Sequence, residues 1–326
     1  MESLPDGLGE QEIRDAVAAY WRLPVTEATF APLGFGSYHW VARTEDGRRL
    51  FLTVDDLDRK PWLGNERRAA FAGLRAAFDT ALALREEAGL AFVVAPRQAR
   101  DGSTVRRIAA RYSLAVFPFS EGRSGHFGAS ASPEDRELLL RLLADLHQAT
   151  KAVASLQPRT VAPLSGRDGL EAALADLGRP WQGGPFSEPA RLQLAANADV
   201  VRRWLRSLDE LADKVAASGR ALVITHGEPH WGNLMRTADG LMLVDWDTVG
   251  LAPPERDLWL LADASAASLG AYAERTGREP DPAALAMYRL AWTLADVAAF
   301  LARFRSEHSL AEDTQHAWDA FRSCFA

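Results

Sequence analysis

The chain has 326 residues, 48% hydrophobic and 25% charged, with a formal net charge of −7 and one cysteine, Cys324. This composition supports a sizeable core in one large two-lobed unit or two domains. The acidic balance argues against a nucleic-acid partner and suits a cationic ligand, and a single thiol excludes an intrachain disulfide and a cysteine-based metal site.

Residues 1–10 are acidic and lack an apolar centre, so no secretory signal is expected. No stretch approaches the roughly 18 uninterrupted apolar residues of a membrane span. A cytoplasmic monomer or homodimer with no membrane or nucleic-acid partner is the expectation.

Residues 10–21 read as an amphipathic helix, with Ile13, Val17 and Tyr20 at helical spacing, stopped before Pro24. Residues 29–33, 38–44 and 48–54 read as strands. The first two are joined by Leu33-Gly34-Phe35-Gly36-Ser37, the second pair by the turn Glu45-Asp46-Gly47. A glycine loop between strands lets backbone N–H groups approach phosphates, although such a turn is commonly only a hairpin. A helix from 63 to about 87 follows, then a short strand at 92–95 and strands at 105–109 and 112–117. The whole is a five-stranded antiparallel sheet carrying one main helix.

Phe117-Pro118-Phe119 ends the apolar run, and the Gly- and Ser-rich stretch 120–132 reads as the linker. Ser132-Pro133-Glu134-Asp135 opens a helix to about residue 150, with a serine cap, proline in the first turn and acids behind it. Loops at 157–166 and 178–187 precede a long helix, 188–217. Further helices are expected at 254–269, 282–304 and 310–325.

Two short apolar strands, 221–224 and 241–244, run into polar clusters, Thr225-His226-Gly227-Glu228-Pro229-His230-Trp231-Gly232-Asn233 and Asp245-Trp246-Asp247. Phosphoryl transfer needs this inventory. A carboxylate orients the attacking hydroxyl, and an amide oxygen with a second carboxylate holds Mg²⁺ against phosphates. His226 and His230 are four apart, but Gly227, Pro229 and Gly232 make the segment a loop, against a helical zinc pair. His147, at a helix end, reads as packing.

The pattern His-Gly-acid-x4-Asn, then Leu-Val-Asp-Trp-Asp, then Leu-Ala-Pro-Pro-Glu-Arg-Asp-Leu resembles the aminoglycoside phosphotransferase and choline kinase family, nearest in motif to its spectinomycin phosphotransferase branch. The resemblance implies an α+β, bilobal protein-kinase-like fold. Residues 1–119 would be a nucleotide-binding N-lobe and 120–326 a larger, mostly helical C-lobe with catalytic loop, metal site and substrate pocket. It implies an O-phosphotransferase acting on a hydroxyl of a small molecule with Mg²⁺ and ATP or GTP, the acceptor being an aminoglycoside or aminocyclitol antibiotic or a related metabolite.

Carried over by position, Glu228 takes the place of the catalytic Asp, with His226 shaping its turn or assisting. Asn233 and Asp245 take the metal positions, Asp247 supporting them. Gly34, Gly36 and Ser37 would cover the phosphates, and Phe117 and Phe119 flank the adenine. Asp257 and Arg256 would orient the catalytic loop. Asp263 and Asp296, with Trp181, Trp259 and Trp292, lie where the acceptor pocket is expected.

Two departures stand out. Glu228 is a methylene longer than the family's Asp, and misplacement of about 1 Å can cost roughly 10²-fold. The third strand holds Thr53 where the family has a lysine, so Glu66, the expected helix partner, has none. Lys60, Arg49 and His39 are the candidates to replace that charge. A catalytically weak or inactive nucleotide-binding protein of the same fold is the alternative reading.

Overall fold

The computed structural model describes residues 4–34, 36–125, 132–262 and 269–325. The chain forms two compact units, one of Met1–Val161 with Leu222–Glu279 and one of Ala162–Ala221 with Pro280–Ala326.

In unit 1, helix α1 (Glu10–Trp21) buries Ile13, Val17 and Trp21. Strands β1 (Val25–Ala31), β2 (Ser37–Thr44), β3 (Arg49–Asp56), β4 (Arg106–Arg107) and β5 (Tyr112–Pro118) form one antiparallel sheet in the order β1-β2-β3-β5-β4. Alternation sends Tyr38, Trp40 and Ala42 of β2 and Leu50, Leu52 and Val54 of β3 into a core shared with α1. The first strand begins four residues before the expected Thr29, past an irregularity between Val25 and Glu27.

Helix α2 (Arg67–Glu86) lays Ala70, Leu74 and Phe78 on Ala115, Val105, Leu57 and Leu63. It starts later than residue 63 because Asp56 caps a short 3-10 turn at Leu57–Arg59, and Leu63 then turns back to bond the Lys60 carbonyl at 3.0 Å.

Stretch 92–95 is not a strand of this sheet. Val93 makes a single parallel bridge to Leu243, with Val94 N–H donating to the Leu243 carbonyl at 3.1 Å and Leu243 N–H to the Phe92 carbonyl at 2.8 Å. Part of the expected linker is also ordered: β6 (Gly122–Ser124) pairs with β8 (Leu234–Thr237), which pairs with β9 (Gly240–Leu243). The rest, 126–131, lies outside the described residues.

Helix α3 (Pro133–Gln148) begins at Ser132, whose hydroxyl accepts the Asp135 N–H at 3.1 Å. The two short strands that lead into the polar clusters do not pair with each other. Strand β7 (Val223–Thr225) pairs with β10 (Gly250–Ala252), a strand too short to stand out in the sequence. The expected helix 254–269 shrinks to α6 (Glu255–Leu258), and residues 263–268 lie outside the described set. Helix α7 (Gly270–Thr276) closes unit 1 against α3.

Unit 2 is built of α4 (Arg167–Ala175), α5 (Ser187–Ala217), α8 (Pro282–Arg305) and α9 (Glu312–Ser323). Phe186, Phe304, Trp318 and Phe321 make its aromatic centre, with ring centroids 5.5 to 5.9 Å apart. Among the described residues α8 alone is long and apolar enough to cross a membrane, at mean hydropathy 1.3. The apolarity has a local use: Met287, Leu294, Val297, Leu301 and Phe304 are buried, and α8 packs on α4 and α5.

Gly73, inside α2, touches the Lys60–Gly64 turn. A Cβ there would run into the Leu63 carbonyl. In an exposed helix Gly→Ala gains about 1 kcal/mol. Here the clash reverses the sign, and Gly73→Ala is expected to destabilise by roughly 1–3 kcal/mol, the range for overpacking, in urea unfolding.

Candidate active site

The loop that follows β7 is held by a buried carboxylate. Asp257 on α6 accepts the N–H groups of His226 at 2.8 Å and Gly227 at 2.6 Å, and its Oδ2 lies 3.1 Å from His147 Nε2. Burial alone would raise its pKa. The hydrogen bond from His147, with nearby cationic groups, outweighs that and holds the carboxyl below its ordinary value. His147 completes a chain to Tyr272, Nδ1 to the hydroxyl at 2.8 Å, so it packs and positions at once. Arg256 donates to Thr225 Oγ1 at 2.8 Å and to the Thr248 carbonyl at 3.0 Å. Its guanidinium lies where a Cβ of Gly227 would be, and Gly227 has φ 105°. A side chain at 227 is refused twice.

His226 is part of this frame. Its Nε2 donates to the Val244 carbonyl at 2.9 Å and its Nδ1 accepts the Glu228 N–H at 3.2 Å, a tautomer fixed by its partners. Burial drives the imidazole pKa down to about 4, so the ring is neutral. The same ring packs edge-on against Trp246 at 4.7 Å. Both ring nitrogens of His226 are thus engaged with backbone groups.

Asn233 ends a 3-10 turn. Its side-chain amide donates to the Glu228 carbonyl at 3.0 Å, and its own backbone carbonyl accepts the Val244 N–H at 3.0 Å. That last bond sets Asn233 beside the residue preceding Asp245. Asp245 takes a left-handed backbone, φ 65° and ψ 68°, to enter the 3-10 turn Trp246–Thr248. Outside glycine this conformation is uncommon and is characteristic of functional turns. Asp245 keeps an exposed face, open to an incoming ligand, although protein surrounds it closely. That partial desolvation, together with Asp247, Glu228 and Asp55, raises its carboxyl pKa well above the ordinary value, with Lys60 opposing.

Lys60 is the cation at this cluster. Its ammonium lies 2.7 Å from Asp247 Oδ2, 2.7 Å from Asp55 Oδ1 and 3.1 Å from Ser37 Oγ, with the residue only 2% exposed. Burial works against the charged form. Asp247, Asp55 and Asp245 outweigh it and hold the pKa above the usual lysine value. Ser37 Oγ also donates to Asp55 Oδ1 at 2.7 Å, which ties the glycine-loop end to the same group. Gly34 and Gly36 both have positive φ, 62° and 92°, and Phe35 lies outside the described residues.

The other candidates for the missing charge are elsewhere. Thr53 bonds His39 across the strands, Oγ1 to Nδ1 at 3.3 Å, and His39 stacks on Phe51. Arg49 pairs with Glu121 and covers the Phe119 ring at 3.8 Å. Phe117 packs edge-on against Phe78. Glu66 does not face the site: it is the exposed N-cap of α2. The strand carboxylate paired with Lys60 is Asp55, at 2.7 Å. Alternation puts Asp55 on the Thr53 face, and that parity is the signal by which the sequence points to it.

In unit 2, Trp181 is buried beneath Arg305, with its indole N–H on the Asp176 carbonyl at 3.2 Å. Asp296 on α8 is half-buried, and burial raises its pKa to about 6 against a hydrogen bond from Trp292. Asp263 lies outside the described residues.

Among the described residues no group of three or more His, Cys, Asp or Glu forms a ready-made metal cage. Asn233, Asp245 and Asp247 nevertheless suit a hard divalent cation. They are oxygen donors, and the crowding that raises the Asp245 pKa marks a local excess of negative charge. One or two carboxylates suffice where phosphates and waters complete the shell.

Residues 27–290 match the family model described as the phosphotransferase enzyme family, APH. The chain belongs to this family. It is a small-molecule phosphotransferase of kinase-like α+β fold. The protein StrN of Streptomyces griseus is 30% identical over 325 residues, covering 96% of this chain and 90% of that protein. A spectinomycin phosphotransferase solved with ADP and spectinomycin superposes with a TM-score of 0.73 at 15% identity, covering 98% of this chain and 96% of that one. Choline kinase LicA from Streptococcus pneumoniae gives 0.58 at 12% identity, covering 96% and 97%.

The neutral histidines of unit 1 predict an acid limit. His226 and His39 are both held down to about 4 by burial, whereas unfolded histidine titrates near 6.5. Between those values the unfolded chain binds more protons than the native one. Stability is therefore full above about pH 6.5 and is lost as pH falls toward 4. Urea midpoints measured between pH 7 and 4.5 should fall in this window, and less steeply in His39→Gln. A flat wild-type profile there contradicts the assignment.

Proposed function

We propose that this phosphotransferase moves the γ-phosphoryl group of ATP or GTP to a hydroxyl of a small, cationic acceptor, with Mg²⁺ as the metal. The observation that carries the reading is the cluster of Lys60, Asp247 and Asp245 in unit 1, with Asn233 joined by its backbone carbonyl to Val244, the residue before Asp245. Glu228 stands next to it as the base, and its carboxylate is near enough to raise the Asp245 pKa.

In this reading residues 1–119 carry the nucleotide. Gly34, Gly36 and Ser37 cover the phosphates, and Phe117 and Phe119 flank the base. Residues 120–326 carry the catalytic loop, metal residues and acceptor contacts. Mg²⁺, held by Asn233 and Asp245 with Asp247 beside them, would neutralise charge on the transferring phosphates. Glu228 orients the acceptor hydroxyl and takes its proton as the oxygen attacks. Its extra methylene is accommodated by a loop fixed at both ends, by Asp257 at His226 and Gly227 and by the Asn233 amide on the Glu228 carbonyl. Lys60 supplies the positive charge on the phosphate side, so the absence of a lysine at Thr53 no longer argues for a non-catalytic protein.

An aminoglycoside or aminocyclitol acceptor is supported by the spectinomycin phosphotransferase likeness and by the acidic balance of the chain.

A panel of aminocyclitols, aminoglycosides and sugars incubated with labelled ATP and GTP should reveal transfer to at least one. Glu228→Gln is expected to lower kcat by about 10²–10⁴-fold, the range for a general base. Asp245→Ala should abolish transfer. Full activity in both variants would overturn the roles of Glu228 and Asp245.

A further inference from the structure

Arg159, in the loop between α3 and α4, carries a charge that no carboxylate among the described residues pairs with. The residue is half-buried, and its Nε is buried with no hydrogen-bond partner among the described residues. A terminal nitrogen donates to the Trp62 carbonyl at 2.5 Å. Burial and the neighbouring Arg256 charge push its pKa below the ordinary value, with Asp247 opposing from a distance, yet an arginine stays protonated. Holding a guanidinium partly out of water without a counter-charge is costly. A bond to one carbonyl does not explain the cost, because a neutral amide would make it as well.

The backbone fixes where this charge stands. Leu251 N–H donates to the Arg159 carbonyl at 2.8 Å, Val161 N–H donates to the Leu251 carbonyl at 3.0 Å, and Thr160 bridges Leu251 in parallel. Gly250 permits that approach, since a Cβ there would lie 2.5 Å from the Val161 side chain and 2.8 Å from the Arg159 carbonyl. Arg159 is thereby pinned to β10, the strand that follows the Asp247 turn. On its other side it holds Trp62, whose ring lies 5.5 Å from the Lys60 ammonium and whose indole N–H is also buried without a hydrogen-bond partner among the described residues. Lys60 in turn lies 2.7 Å from Asp247. A guanidinium at this place repels a cationic acceptor and attracts a phosphate oxyanion.

We propose that Arg159 is a catalytic residue that holds the transferring γ-phosphoryl group, its guanidinium donating to the non-bridging oxygens. As the acceptor oxygen bonds to the γ-phosphorus, the bond from phosphorus to the β,γ-bridging oxygen breaks. The hydroxyl proton passes to Glu228, and the nucleoside diphosphate leaves with the bridging oxygen and its electron pair. Arg159 offsets the charge spread over the three remaining oxygens during the transfer. The inference rests on the phosphotransferase reading above and adds to it a residue outside the motif.

Calorimetric titrations with Mg²⁺ present separate the terminal phosphate from the rest of the nucleotide. Arg159→Gln keeps a donor for the Trp62 carbonyl and removes the charge. It should bind the non-hydrolysable analogue AMP-PNP (or GMP-PNP) about tenfold more weakly than wild type, the scale of one charge-assisted hydrogen bond, and bind ADP (or GDP) unchanged. On whichever acceptor of the panel is phosphorylated, its kcat should fall about 10²–10³-fold, the range for one transition-state donor. Arg159→Lys, which keeps the charge, should recover part of both losses, whereas a packing role would not follow charge. Unchanged AMP-PNP binding and kcat in Arg159→Gln overturn the inference. A rise in acceptor KM alone also overturns it, by placing the guanidinium on the acceptor. Equal loss of AMP-PNP and ADP binding in both variants, with a lowered Tm, overturns it in favour of a structural part. A wild type that binds none of these nucleotides overturns the nucleotide reading as well.

Discussion

One ammonium group between two carboxylates organises the site. Lys60 leaves β3 by a short turn and returns to bond Asp55 of that strand and Asp247 of the turn after β9. Burying ions costs several kcal/mol each, and a buried pair commonly stabilises no more than packed apolar side chains would. Stability alone therefore does not explain three ionised groups at this point. The ammonium and the two carboxylates neutralise one another at 2.7 Å, with Ser37 Oγ 3.1 Å from the ammonium.

That cluster is useful only if the loop opposite is rigid, and the rigidity comes from a second buried carboxylate. Asp257 takes two successive backbone N–H groups and is itself held by His147. Leaving such groups unpaired costs about 1–3 kcal/mol each, so the turn at His226-Gly227 is strongly determined. Arg256 then closes over Gly227 and bonds both Thr225, at the end of β7, and Thr248, just before β10. The polar residues in and around this loop divide accordingly. His226, Asp257, His147 and Arg256 spend their polar atoms on the frame, and Glu228 and Asn233 are what the frame presents.

Much of this is legible in the chain. Hydrophobic alternation identifies β2, β3 and β5, and Ser132-Pro133 marks the start of α3. The motif residues stand out because strands end in polar side chains that a core has no use for. Elements whose partners are distant in sequence are not legible. β7 pairs with β10, and residues 92–95 pair with β9 instead of with the sheet whose sequence they follow, because pairing of three-residue segments is decided by tertiary contacts more than by local pattern. The part played by His226 is hidden for the same reason: a histidine in a motif looks chemical until both its nitrogens are seen on backbone groups.

Lys60 shows the limit most clearly. By strand parity the family lysine position is Thr53, and the chain has only three lysines in all. What parity cannot reveal is that a 3-10 turn capped by Asp56 follows β3, and that beyond it a four-carbon side chain returns to Asp55, on the face Thr53 occupies. Charge, unlike shape, can be delivered from any backbone position that brings it to the same point. The carboxylate that pairs with this ammonium is Asp55, on the strand itself, while Glu66 stands exposed as the N-cap of α2. A substitution at a family position thus argues for loss of function only when no other cation stands in the same cluster, and in this chain the Lys60 ammonium lies 2.7 Å from Asp247 Oδ2.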